Sequence, residues 1–216
     1  MSLGAIYVLD LFTDELVCEY VGRPMFAEDF YETCRRILLM YNAKCLYENN
    51  KKGLFTYFSQ HNCLYLLADV PEYLKDKDLV KGNLYGNKVK GVNASQPIQT
   101  YGRGRIRDWL LKPIKVLSKI NIDGREEETE ITINNINRCY YRALMKELAM
   151  WNPDGNFDRY DALLMLMLLR EQELMLCGVK SPSEVIGIDQ PDYLGNDEFF
   201  TRNYDYRFSK SIIKNI

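Results

Sequence analysis

Apolar positions along the chain follow two periods, and the alternation between them divides it into elements. Residues 5–9 (Ala-Ile-Tyr-Val-Leu) and 16–21 (Leu-Val-Cys-Glu-Tyr-Val) are short, β-rich runs on either side of Thr13-Asp14-Glu15. They predict two strands joined as a hairpin by a tight turn. Gly22-Arg23-Pro24 breaks the second strand. Phe26, Phe30, Cys34, Ile37, Leu38 and Tyr41 then recur three and four apart, with Glu28 and Asp29 where a first helical turn prefers acids. That pattern predicts an amphipathic helix of about fifteen residues, ended by Asn42 and Ala43. Residues 44–47 (Lys-Cys-Leu-Tyr) read as a short buried strand with Glu48-Asn49-Asn50 at its carboxyl end. A short helix is expected over 53–61 and a further strand over 63–67. Residues 69–96 are loop-like, rich in glycine and lysine, with room for a small hairpin at 88–92. Ile136, Tyr140, Leu144, Leu148 and Trp151 predict a helix of about sixteen residues. Asn152-Pro153-Asp154-Gly155-Asn156 is a strong turn. It delivers the chain into Phe157-Asp158-Arg159-Tyr160-Asp161 and the almost wholly apolar run 162–169, a buried helix whose first turn carries two acids.

Beyond Cys177-Gly178 no clean period survives, and the aromatic stretch 199–208 reads as an extended tail or docking segment. The expected organisation is therefore one α/β domain over 1–178 and a tail over 179–216. With 216 residues, 47% of them hydrophobic, the chain can bury one sizeable core. A net charge of −2 gives no global basic field, so nucleic acid would have to meet a local patch. Six cysteines without a CxxC pair, and a single histidine, exclude zinc-finger spacing and predict buried thiols in a reducing compartment. The longest apolar run is too short to span a bilayer.

Candidate chemistry lies in the acids. Asp158 and Asp161 sit three residues apart and share one face of their helix. Each has a plain structural reading, as an N-cap and as a first-turn acid that offsets the helix dipole. Glu48 stands at the carboxyl end of a strand, where open α/β sheets place their ligands. Hard divalent cations take oxygen ligands, and two-metal phosphoryl sites gather three or four carboxylates. A basic cluster, Arg103, Arg105, Arg107 and Lys112, is open to two readings: a solvated helix face, or a patch that matches phosphate oxygens. Residues 123–130 are acidic and read as a turn.

The order of hairpin, helix, Glu-bearing strand and late Asp-bearing helix resembles the RNase H-like nuclease scaffold. More closely, the chain resembles the C-terminal nuclease domain of tailed-phage terminase large subunits. The residues that carry the resemblance are 2–9 (Ser-Leu-Gly-Ala-Ile-Tyr-Val-Leu), 17–24 (Val-Cys-Glu-Tyr-Val-Gly-Arg-Pro), 47–53 (Tyr-Glu-Asn-Asn-Lys-Lys-Gly) and 155–163 (Gly-Asn-Phe-Asp-Arg-Tyr-Asp-Ala-Leu). The resemblance implies a mixed sheet flanked by helices and a metal-dependent endonuclease that cuts concatemeric double-stranded DNA. It implies Glu48 and Asp161 as ligands of Mg2+ or Mn2+, two ions in all, with Asp158 as auxiliary ligand or holder of the metal-bound water. DNA phosphates would meet Arg103, Arg105, Arg107, Lys51 and Lys52. The implied partners are an ATPase domain, a portal protein and a small terminase subunit, in the host cytoplasm during phage assembly.

The departures are equally specific. The family carries a further aspartate on its first, central strand, and three strands precede the first helix, whereas two precede Phe26 here. The favoured reading is a chain that begins after that strand, its metal site one ligand short and its cutting weak; the alternative makes Asp10 the missing acid. No GxxxxGK[ST] loop is present, so the chain alone is not the motor. Two other readings stand beside this one. One is a different RNase H-like nuclease, such as a resolvase or transposase core. The other is a non-catalytic docking module acting through 179–216.

Overall fold

The computed structural model describes residues 3–50, 52–80, 90–122, 125–153 and 155–178, and they form a mixed α/β fold. Strands β1 (Gly4–Asp10) and β2 (Glu15–Gly22) pair antiparallel as the alternating sequence predicts, with a register shift after Val8. Helix α1 (Ala27–Met40) opens with Glu28 and Asp29. It closes in a left-handed turn at Asn42 (φ 46°), where the Ala43 N–H reaches Leu38 O at 2.9 Å. This reversal is one that Asn tolerates better than most residues. Helices α2 (Gly53–Gln60) and α3 (Glu72–Asp76) end the same way at Asn62 and Asp78. Helix α4 (Gln96–Leu111) leads into a second antiparallel hairpin, β3 (Pro113–Ile122) and β4 (Arg125–Asn134). Helices α5 (Arg142–Met150) and α6 (Asp158–Leu176) complete the described chain.

Four expectations are corrected. Residues 123–130 belong mostly to β4 and not to a turn: Ile114 faces Ile133 and Val116 faces Ile131 across the hairpin. The segments at 44–47 and 63–67 are not regular strands. They make isolated bridges, Cys45 to Leu67 and Glu48 to Val92, and residues 64–66 form a turn of 3-10 helix. The helix expected over 136–151 is interrupted: residues 135–138 coil into a 3-10 turn, and α5 starts only at Arg142. Side-chain docking breaks it, because the Tyr141 hydroxyl donates to Leu16 O at 3.3 Å and its ring meets Tyr7 edge-on. Residues 69–96 hold α3. The possible hairpin at 88–92 and the tail 179–216 lie largely or wholly outside the described residues.

The extended segments separate two cores. Ile6, Tyr47 and Leu67 pack with Cys34, Leu38 and Phe58 from α1 and α2. Their neighbours Tyr7, Leu46 and Ala68 point the other way, toward α4, α5 and α6. Helix α6 is buried on almost every side, including Leu163, Leu164, Met167 and Leu168. That explains why its sequence is apolar all round. Cys34 and Cys63 are buried and Cys45 half-buried, and burial pushes the Cys45 thiol up to about 12, as inert core thiols require. Among the described residues no helix is long and apolar enough to cross a membrane.

The predicted surface turn between β1 and β2 is instead plugged into the fold. Asp14 is 1% exposed. Its carboxylate accepts two hydrogen bonds from Arg170 of α6, both 2.6 Å, and one from Lys112 at 2.9 Å. Its carbonyl accepts from Trp109 Nε1 at 3.2 Å and from the Asn135 amide at 3.4 Å. Burial alone would raise this carboxyl; the hydrogen bonds and charge of Arg170, with those of Lys112, overcome that and hold it below the usual range. The depressed value sets the sign of the pH effect. Asp14 stabilises the fold above about pH 4, the unfolded-chain value, and that contribution is lost as pH falls through the lower folded-state value. Asp14→Asn keeps a residue that accepts the left-handed backbone (φ 59°) but leaves two cations without their charge partner. Denaturant titration should show a loss of about 3–5 kcal/mol at pH 7 and a flatter acid limb.

Helices α4 and α6 touch at Gly102, where an added Cβ would stand 2.5 Å from Leu164 Cγ; at Gly104, two residues on, nothing lies within 4 Å. Gly102→Ala should therefore destabilise by about 1–3 kcal/mol less whatever helix propensity returns. Gly104→Ala should stabilise by about 0.5–1 kcal/mol. Paired denaturation curves check both.

Candidate functional site

The carboxylates singled out by spacing come from two distant parts of the chain. Glu48 is carried by the segment that bridges Val92. Asn49 fixes it on both sides: its N–H donates to Val92 O at 2.9 Å and its amide to Lys90 O at 3.0 Å. Gly91 makes the close approach possible. It holds φ 75°, and a Cβ there would collide with the Tyr47 ring and carbonyl at 2.8 Å. Glu48 itself is exposed, and its carboxylate accepts from the Asn50 amide.

Asp158 and Asp161 open α6. The N-cap position belongs to Phe157, which makes no side-chain capping bond, so Asp158 is not the cap its sequence position allowed. It reaches outward instead: the Leu3 N–H donates to its Oδ2 at 2.7 Å and the Asn156 amide at 3.2 Å. The helix start is capped from another helix. Glu147 of α5 accepts the N–H of Arg159 at 3.0 Å and of Tyr160 at 3.3 Å, and holds the Arg159 guanidinium at 2.6 Å. Arg159 also lies 3.6 Å from Glu19, which takes the Tyr7 hydroxyl at 2.5 Å. Sequence reasoning missed Glu147, because an acid on a polar helix face carries no sign that it will cap a neighbour.

Asp161 is where these acids meet. Its carboxyl is pushed up to about 6, first by burial and then by the negative charges of Glu48, Asp158 and Glu147. Glu48 and Asp158 thus lie within electrostatic reach of Asp161. Asp10 does not belong to this group. It caps its own turn, accepting from the Phe12 N–H at 3.0 Å and the Thr13 hydroxyl at 3.1 Å. It stands at the far end of β1 from Leu3 and Asp158, roughly 20 Å along the strand.

The basic residues are spread over several faces. The Arg103 guanidinium lies over the Trp151 ring at 3.7 Å. Arg105 pairs with Asp108 at 2.8 Å and with Glu171 at 3.7 Å. Arg107 is exposed, as is Lys52 at the start of α2; Lys51 lies outside the described residues. Arg103 neighbours Tyr160, whose hydroxyl its charge influences. Asp161 is rotated about 100° from Tyr160 around α6, so the arginine and the acids approach that helix from different sides.

Among the described residues no three His, Cys, Asp or Glu side chains converge as a ready-made metal cage. The donor chemistry still suits a hard cation. Mg2+ keeps most of its waters and uses one or two carboxylates, and Glu48 and Asp161 are oxygen donors whose mutual repulsion a cation would relieve. No family model, curated protein or solved structure matches the chain.

An acid raised in the folded state acts opposite to Asp14. In metal-free protein, stability should fall as pH rises from about 4 to about 6, where the unfolded chain has released a proton that folded Asp161 still holds. Asp161→Asn should remove that fall and raise stability at pH 7.5 by on the order of 1–2 kcal/mol, measured by thermal unfolding in EDTA across this range.

Proposed function

We propose that the chain is a metal-dependent DNA endonuclease domain built on an RNase H-like scaffold, of the kind found in phage terminase large subunits. One observation carries this reading: the Asp161 carboxyl is pushed up first by burial and then by the charges of Glu48, Asp158 and Glu147, although Glu48 is far from the Asp158/Asp161 pair in sequence. Functional sites concentrate such perturbed carboxylates, because the same crowding that costs stability prepares them for a cation. On this reading β1 and β2 correspond to the scaffold's second and third strands.

On this reading Glu48 and Asp161 would hold a divalent ion, with Asp158 as auxiliary ligand or holder of its water. A bound Mg2+ or Mn2+ supplies charge that stabilises the attacking and leaving oxygens of a phosphodiester and lowers the pKa of bound water. The Leu3 N–H and Asn156 fix the rotamer of Asp158. Glu147 and Arg159 fix the first turn of α6, which carries Asp161. Arg107 and Lys52, both exposed, are free to meet phosphates along a duplex, and the partners of this reading are double-stranded DNA and the packaging assembly.

Nicking of supercoiled plasmid in Mn2+ tests the reading. Glu48→Ala and Asp161→Ala should each lower the rate by about 10²-fold or more. Calorimetry should show stoichiometric Mn2+ binding that both substitutions abolish. Equal cutting by the intact chain and the two variants sinks the site.

A further inference from the structure

Beside Tyr160, a cleft of ≈ 280 Å³ opens between α4, the 135–138 turn, α5 and the start of α6. Leu110, Leu111, Leu148 and Trp151 give it an apolar lining; among the described residues Arg103 and Arg107 are its two charged groups and no acid lines it. Leu111 is 50% exposed. Arg103 lies over the Trp151 ring, and among the described residues its buried Nε has no hydrogen-bond acceptor. An apolar lining with two guanidinium groups and no counter-charge fits a ligand that is acidic and apolar together. The volume lies below the roughly 300–1,000 Å³ of ordinary small-molecule sites, and suits one or two side chains of a peptide.

We propose that this cleft receives residues 188–200 of the same chain. That stretch carries Asp189, Asp192, Asp197 and Glu198 interleaved with Ile188, Tyr193, Leu194, Phe199 and Phe200, and no lysine or arginine occurs between Lys180 and Arg202. The reach is right. The chain leaves α6 at Leu176, about 24 Å along the helix axis from Tyr160 at the cleft. Gly178 at the helix end holds φ 71°, the left-handed turn that reverses a chain leaving a helix, and its N–H reaches Met175 O at 3.1 Å. A span of about 24 Å needs about eight residues at full extension, no more than separate Gly178 from Ile188. Carboxylates then meet Arg103 and Arg107 while Tyr193 and Leu194 cover Leu111 and Leu148. Nothing in this inference depends on the nuclease reading.

Hydrogen exchange on the full chain, read by mass spectrometry in peptides from α4, α5 and the β1–β2 hairpin, tests it. Asp189→Lys with Asp192→Lys should speed exchange in α4 and α5 several-fold and leave the hairpin unchanged. Arg107→Glu should do the same alone, and combining it with the two lysines should restore protection. Unchanged exchange in both single-sided variants overturns the proposal. Protection in the unaltered chain that disappears on dilution assigns the cleft to a second copy and overturns it. Protection that arises only when a short duplex DNA is added assigns the arginines to phosphate and overturns it equally.

Discussion

A carboxylate that is 1% exposed persists only if cations are brought to it, and Asp14 obtains two from elements that are remote in sequence. Removing such a charge from water is costly, and the cost is met only by near-ideal hydrogen bonding. Arg170 provides this with its paired 2.6 Å contacts, and Lys112 adds a third. The geometric consequence exceeds the energetic one. The tip of the β1–β2 hairpin, the end of α4 and the middle of α6 must meet at one point, so the direction of α6 along β1 is set there. Trp109 and Asn135 bind the carbonyl of the same residue, and so the 3-10 turn before α5 is drawn in as well.

The other end of α6 is fixed independently. Glu147 caps it from α5, Arg159 ties that cap to Glu19 and the Tyr7 hydroxyl, and Asp158 takes the N–H of Leu3. A helix held at its first turn and again at Arg170 has little freedom to rotate or slide. Asp161 lies between these two points, within electrostatic reach of Glu48. Asp161 is therefore positioned by contacts made at other residues of its helix.

How far the sequence disclosed this depends on whether a signal was local. Helix α1 was legible because its apolar spacing, its first-turn acids and its Asn42 terminator all belong to the same few residues. Helix α6 and the pairing of Asp158 with Asp161 were legible for the same reason, and Glu48 was legible as an acid at the end of an apolar run. Asp14 was not: a polar residue in a short turn looks like surface until Arg170 and Lys112 arrive from elsewhere. Glu147 was hidden in the same manner. The β3–β4 hairpin carried a usable local signal, since the paired Ile122 and Arg125 enclose Asp123-Gly124, a strong two-residue hairpin sequence. The run of glutamates after it obscured that signal, because strands are poor in Glu on average. The sequence also suggested a regular strand at 44–47; the chain there makes single bridges, its course fixed by Asn49 and Gly91 rather than by a ladder.

The two aspartates at opposite ends of this argument show how a structural acid differs from a candidate functional one. Asp14 is the more deeply buried, yet its carboxyl is held low because cations surround it. Asp161 is less buried, yet its carboxyl rises to about 6, first through burial and then through the charges of Glu48, Asp158 and Glu147. Burial does not separate them; the sign of the surrounding charge does. The fold has supplied every counter-ion that Asp14 requires. Around Asp161 it has gathered like charges, and α6 is clamped so that they cannot relax apart. An arrangement that costs the apoprotein stability and is nevertheless rigidly maintained is accounted for if a positive charge from outside the chain completes it.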